Sequence, residues 1–312
     1  MRDMSSRSPD SALAGAAYGV LASLIWGGFP AITKLSMASN TLTAWDVTAL
    51  RFGTAGLILL PVFLRSGIGS LRWPQALLLA CGAGAPYLLL TAGGLAFAPA
   101  GHMGIITPSC MLLFSTLGSW WLLGDRPVGG RVAGVLTIFL GLLMLGWDGL
   151  ANHGERTWLG DLMFLLGGLS WASYTIGSRT WSVAPFHATV VVSVLSMIVY
   201  LPGYAGLAGS RLATAPWSEI LIQVVFQGVL SAIVALLLYT RAVALLGAAR
   251  GAVFAALVPA FSLLLAIPVL HELPTRLQMI GVVLVTLGMV FALGLYDPAR
   301  RRLIRATGVD HV

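Results

Sequence analysis

The sequence predicts an all-α, polytopic membrane protein: ten transmembrane helices built as two inverted five-helix repeats. Three observations carry that expectation. The chain is 58% hydrophobic and only 9% charged over 312 residues, with a mean hydropathy of +0.90, whereas soluble domains carry roughly 25% charge. Charge-free runs at 11–33, 73–101, 220–239, 251–270 and 277–296 reach the roughly 20 apolar residues that a bilayer crossing needs. The third observation is a stretch that occurs twice. Residues 124–145 read GDRPVGGRVAGVLTIFLGLLML, and residues 271–292 read HELPTRLQMIGVVLVTLGMVFA. One offset, 147 (272 − 125), sets Asp125 on Glu272, Pro127 on Pro274, Gly134 on Gly281 and Gly141 on Gly288. The paired glycines lie about two helical turns apart, so they share one face and admit a neighbouring backbone.

In chain order the spans are expected at about 12–35, 43–64, 73–97, 102–123, 129–147, 159–180, 186–208, 217–239, 250–270 and 276–296. The first repeat takes 12–147 and the second 158–296, with cytoplasmic tails at 1–11 and 297–312. The longest linker, 148–158, separates the repeats. The run after Arg2 and Arg7 is too long for a signal-peptide core and lacks a cleavage site, so it reads as the first span. With the N-terminus inside, thirteen basic residues fall on the cytoplasmic side (Arg2, Arg7, Arg65, Arg72, Arg126, Arg131, Arg179, Arg241, Arg250, Arg300, Arg301, Arg302, Arg305) and three outside (Arg156, Arg211, Arg276). That bias places both termini in the cytoplasm. Five helices is an odd number, so the second repeat must lie upside down relative to the first, the usual scaffold for alternating access.

The first helices of the repeats also align, LIWGGFPAITK (24–34) on LSWASYTIGSR (169–179). Trp26 meets Trp171, Phe29 meets Tyr174 and Lys34 meets Arg179. Pro108 and Pro259 fall at similar depths in the fourth and ninth helices, while the second helices match poorly. Trp26-Gly27, Lys34 eight residues later and Arg51-Phe52 resemble the N-terminal signature of the EamA-type drug/metabolite transporter superfamily. The two prolines and the acids Asp125 and Glu272 extend the resemblance over both copies, although Gly-Asp and His-Glu stand where such proteins often have Gly-Glu. The resemblance implies a ten-helix carrier of small organic solutes, often an exporter, with helices five and ten peripheral to a central cavity.

Candidate pathway residues follow from cost. A charge at membrane depth is expensive, about 2.5–3.5 kcal/mol, and faces a cavity or a partner. Lys34 and Arg51 are such charges; the plain structural alternative is that Lys34 snorkels and Arg51 pairs with nearby Asp46. Trp26 and Phe29, like Trp171 and Tyr174, lie three apart on one helix face and either pack the repeat interface or line a cavity. Tyr87 and Tyr239 offer hydroxyls within helices three and eight. His102 opens helix four and is either an interfacial histidine or a proton-sensing or substrate-contacting group. Pro108 and Pro259 free the carbonyls of Gly104 and Ala255, as expected of hinges or cavity walls, and Pro30 and Pro86 are read the same way. Trp120-Trp121 reads as interfacial belt.

The exclusions are equally concrete. A net charge of +7 suggests nucleic acid, yet the charges sit singly between apolar runs, with no basic face carrying aromatics. Cys81 and Cys110 lie inside apolar runs and make no disulfide framework. His153, His187 and His271 lack metal-ligand spacing, so no metal and no cofactor is expected. No Asp or Glu falls mid-span, so proton antiport through a membrane-embedded carboxylate is not supported, and facilitated transport or exchange fits better. GDRP lacks the glycines and Lys of a phosphate loop. An integral membrane enzyme or a non-transporting scaffold is therefore the weaker alternative to an alternating-access exporter of amino acids or amphipathic, drug-like solutes. The expected partners are a small-molecule solute and the lipid bilayer of a bacterial inner membrane, with a homodimer left open.

Overall fold

The computed structural model describes residues 9–124, 129–152, 154–206 and 210–293. Asp125 to Pro127, His153 and the basic residues of both tails lie outside that set. The described residues form ten helical spans: α1 (Pro9–Ala38), α2 (Ala44–Ser66), α3 (Trp73–Gly94), α4 (Ala100–Leu123), α5 (Gly130–Asn152), α6 (Thr157–Thr180), α7 (Pro185–Ala205), α8 (Trp217–Leu246), α9 (Ala248–Leu270) and α10 (Arg276–Ala292). Eight are long and apolar enough to cross a membrane. The others are α6, which carries Asp161 and many small polar residues, and α10, with 17 residues. The expected linker at 148–158 is shorter than the sequence suggested, because α5 runs on to Asn152 and takes Asp148 into the helix.

Lipid gives apolar helices no hydrophobic reason to associate, so contact depends on close packing and on polar ties. The α5–α10 pair shows the first. Gly134 packs on Gly288 and Ala292, and Gly141 packs on Gly281 and Val285. The two helices are therefore antiparallel, and the repeats are inverted. Each contact is also the image of the other under the 147-residue offset, as a two-fold axis requires. The opposite face of α5 presents Leu136, Phe139, Leu140, Leu143, Trp147 and Leu150, all exposed, which is the lipid-facing stripe.

The remaining helices obey the same exchange. The first helix of each repeat packs against the third and fourth of the other: α1 on α8 and α9, α6 on α3 and α4. The second helices, α2 and α7, cross each other. Gly56 meets Met197 there, and 197 − 56 equals 185 − 44, the offset between the helix starts. Residue and counterpart thus face each other near the axis, a relation invisible to sequence because their side chains differ.

Two spans are irregular, and both are third helices. In α3 the backbone breaks at Gly84, two residues before Pro86, and the Ala85 N–H is taken by Ser196 Oγ at 3.3 Å. In α8 residues Val224–Val234 form a π-helical stretch. Gly247, at φ +89, then turns α8 directly into α9.

A Cβ at Gly134 would lie 2.3 Å from the Ala292 backbone nitrogen. Replacing a helical Gly with Ala gains about 1 kcal/mol in propensity, but overpacking against backbone costs about 1–3 kcal/mol, so overpacking should win. Gly134→Ala is expected to lower the unfolding temperature in detergent, while Gly146→Ala, where nothing stands within 4 Å, should leave it unchanged or raise it. Equal behaviour of the two variants would mean that the seam is slack.

Candidate functional site

The centre of the molecule is built from α1, α2 and α8 on one side and α3 and α6 on the other. Arg51, two turns into α2, is partly buried and donates from Nη1 to Gln227 Oε1 (3.0 Å) and Ser231 Oγ (3.1 Å) of the π-helical stretch. Its guanidinium carbon also lies 5.3 Å from the Phe29 ring centre and 5.9 Å from that of Phe52, within cation–π range. The expected alternative partner, Asp46, is engaged elsewhere. It closes the capping box of α2 with Thr43 and accepts hydrogen bonds from Tyr204 Oη and the Arg211 N–H.

Around Arg51 the aromatics form two matching pairs. Trp26 and Tyr239 have ring centres 5.4 Å apart, and Trp171 and Tyr87 are 4.8 Å apart. Each pair joins the first helix of one repeat to the third helix of the other. Trp26 Nε1 also donates to the Ser231 carbonyl at 3.3 Å, so Trp26 and Arg51 share one residue. Tyr174 stands edge-on to Trp171 at 5.4 Å.

Lys34, expected either to snorkel or to face a partner, has one. Its Nζ lies 2.8 Å from Glu272 Oε1 and donates to the Ala98 carbonyl at 2.9 Å. Glu272 Oε2 accepts the Ala100 N–H at 2.9 Å, placing a carboxylate at the N-terminus of α4, where the helix dipole favours an anion. These groups border a cavity of about 440 Å³ that Gly101, Thr157, Ala266 and Gln278 also line. The sequence counterparts of this pair are Arg179 and Asp125, of which Asp125 lies outside the described residues.

Further ties join the repeats at the same end. Ser36 Oγ donates to Glu219; Gln223 Nε2 donates to the Ile32 carbonyl (2.8 Å) and Ser36 Oγ (2.9 Å); Gln227 Nε2 donates to Thr33 Oγ1. His102, expected near the interface, is fully buried beside Asp161, Asp148 and Gln278. The ion-pair contacts Lys34–Glu272, His102–Asp148 and His102–Asp161 fall at this end.

The prolines divide. Pro86 is exposed on an apolar groove of about 360 Å³ between α2, α3 and α7, with Tyr200 and Ser196 on its wall. Pro30, Pro108 and Pro259 sit inside helices that continue past them. Pro30 instead packs where α1, α4 and α9 cross, at Gly104 and Ser262.

Gln227, Ser231 and Gln278 were not singled out by sequence reasoning. A signal existed for the first two: Gln223, Gln227 and Ser231 recur every four residues in a charge-free run, a polar stripe along one helix face.

Comparison with known proteins agrees with this architecture. The model of the EamA-like transporter family matches twice, over residues 13–147 and 158–294. The chain belongs to that family. Its place in the drug/metabolite transporter superfamily, expected from the tryptophan and basic signature, follows, and the family name is that of a transporter. An uncharacterized transporter of Synechocystis sp. is 27% identical over 214 residues, 64% of this chain; the match spans 60% of that relative's length. A solved crystal structure, described only as that of a protein, has a TM-score of 0.59 at 20% identity, covering 92% of this chain and 99% of that one. It speaks to fold alone.

For an EamA-family chain with this ion pair, Lys34 and Glu272 should be energetically coupled. Both are about a quarter exposed (21% and 27%), so a coupling of about 0.5–1 kcal/mol is expected from a double-mutant cycle of Lys34→Gln and Glu272→Gln read by unfolding midpoints in detergent. Glu272→Gln should cost more than Lys34→Gln, because it also weakens the acceptor at the start of α4. A coupling of zero would show that the two side chains do not pair.

Proposed function

We propose that the chain is an alternating-access carrier that exports small organic metabolites, amino acids or amphipathic solutes, through the space between its repeats. The observation that carries this reading is the pair of matched aromatic contacts flanking one partly buried guanidinium. Trp26·Tyr239 and Trp171·Tyr87 offer flat apolar surfaces from opposite repeats. Arg51, held by neutral Gln227 and Ser231 rather than by a carboxylate, keeps its positive charge available to an anionic group such as a solute carboxylate. An apolar body between the rings and an acid on Arg51 describes an aromatic or amphipathic amino acid, or a metabolite like one.

The irregular third helices support alternation. In inverted-repeat carriers, substrate sites form at interrupted helices near the midplane, and one repeat rocks against the other. Here the break in α3 and the π-helical stretch of α8 adjoin the aromatic pairs. Polar ties at the Lys34 end suit a state closed on that side. With the basic residues of the loops inside, that side is the outer one, and the chain is a multi-pass protein of a bacterial cytoplasmic membrane with both termini in the cytoplasm.

Counterflow of radiolabelled amino acids and aromatic metabolites in proteoliposomes tests the proposal. Saturable exchange of at least one solute is expected. Arg51→Ala should reduce that flux about tenfold or more, equivalent to about 1.4 kcal/mol, with membrane insertion intact. Trp171→Ala should shift preference toward bulkier solutes. Flux unaffected by Arg51→Ala would remove the guanidinium from the pathway, and no flux across the panel would count against a carrier.

A further inference from the structure

We propose that the cavity at the Lys34 end is a second solute site, one that binds a zwitterionic α-amino acid on the Lys34–Glu272 pair. Its volume of about 440 Å³ falls within the roughly 300–1,000 Å³ of small-molecule pockets. It lies among the connections α3–α4, α5–α6 and α9–α10, which bring Phe97, Gly154 and Leu273 to its wall, and it reaches in to Leu263 of α9. None of its lining residues belongs to the aromatic pairs or to the Arg51 contacts. Among the residues that line it, Lys34 and Glu272 carry the charges.

Both charges are fixed by backbone. Lys34 Nζ, 2.8 Å from Glu272 Oε1, also donates to the Ala98 carbonyl at 2.9 Å, and Glu272 Oε2 accepts the Ala100 N–H at 2.9 Å. One stretch, 98–100, thus positions a cation from α1 and an anion from the start of α10, and such preorganisation lowers the cost of binding. Neither group is used up. An ammonium has three donors and a carboxylate about four acceptor positions, and the two side chains are 21% and 27% exposed.

An α-amino acid carries its ammonium and carboxylate on one carbon, about 3 Å apart by standard bond lengths. That separation matches the 2.8 Å between the paired charges. Laid head to tail on the pair, the solute puts its carboxylate on a further Lys34 donor and its ammonium on Glu272, so that four charges alternate in sign. A free amine gains Glu272 but meets Lys34 as a like charge, and a free acid gains Lys34 but meets Glu272. At these distances attraction and repulsion largely cancel. The charge pattern therefore selects the zwitterion, while Phe97, Leu263 and Leu273 offer apolar wall to its side chain. The site stands on this geometry, whereas its use in releasing an exported amino acid rests on the carrier reading.

Leu273 is 80% exposed on the cavity wall, so Leu273→Cys, made with Cys81 and Cys110 replaced by Ala, reports occupancy. The full-length protein in phosphatidylglycerol nanodiscs is modified with an uncharged, hydrophilic thiol reagent. L-Phenylalanine at about 10 mM should slow modification about threefold, the effect of millimolar binding. 2-Phenylethylamine and 3-phenylpropionate, each lacking one of the two charges, should leave the rate unchanged. Protection should persist in Arg51→Ala and vanish in Glu272→Gln. The site is overturned by no protection from phenylalanine, by equal protection from all three compounds, by loss of protection in Arg51→Ala, or by its survival in Glu272→Gln. The first two outcomes are read with the ion pair intact, so they decide the matter even where Glu272→Gln does not fold. Slowing by phosphatidylethanolamine alone, a lipid whose headgroup also carries both charges, would make the solute the wrong occupant. Counterflow in the same preparations keeps the two readings apart: protection without flux sinks only the carrier, and flux without protection sinks only this site.

Discussion

A charge in hydrocarbon must have a partner, and among the described residues Arg51, Lys34 and His102 each find one on the opposite repeat. Arg51 of α2 is met by Gln227 and Ser231 of α8, Lys34 of α1 by the Glu272 carboxylate ahead of α10, and His102 of α4 by Asp161 of α6 and Gln278 of α10. Glycine seams bring the helices close, but van der Waals contact between apolar helices is tolerant of sliding. Directional bonds are not. Polar pairing therefore selects which relative placement of the repeats is occupied.

The two-fold relation separates scaffold from site. Where it holds closely, at the α5–α10 glycines and at Gly56 opposite Met197, the side chains are small or apolar and the contacts are structural. It also holds at Trp26·Tyr239 and Trp171·Tyr87, so both repeats offer a ring pair to the centre. It fails at Arg51, whose counterpart by the α2–α7 offset is buried Val192. On the proposed carrier reading, a positive charge on one repeat only would give a bound solute a defined end, which a symmetric pocket would not.

Much of this was legible in the sequence because membrane physics writes large signals. Charge-free runs gave the spans, paired glycines gave the repeat, and the odd helix number gave the inversion that the Gly134–Gly288 contact bears out. Trp26, Trp171 and Lys34 were found by comparing the copies, since a residue kept at equivalent places in both halves stands out. Partners were harder. Asp46 lies nearer to Arg51 in sequence than Gln227 does, yet its oxygens are committed to the helix cap and to Tyr204. Asp148 was read as loop because the apolar run fades there, whereas the Thr275 and His102 contacts hold it inside α5. Such pairings come from tertiary contacts that no local pattern encodes.

Proline alone did not decide where helices break. Pro30, Pro108 and Pro259 sit within continuous helices, where each removes one backbone bond and the turns on either side carry on. At Pro86 the helix does break, and the difference is the company it keeps. Gly84 takes a backbone angle outside the helical range, and Ser196 of α7 accepts the Ala85 N–H that the break leaves over. The corresponding span, α8, contains no proline, yet its backbone also departs from α-helix, over the stretch that presents Gln227 and Ser231 to Arg51. What the two third helices share is a neighbouring repeat with polar groups ready to take up what the irregular backbone releases. In a membrane that supply is the condition for any irregularity, so the third helices are bent where the opposite repeat lets them bend.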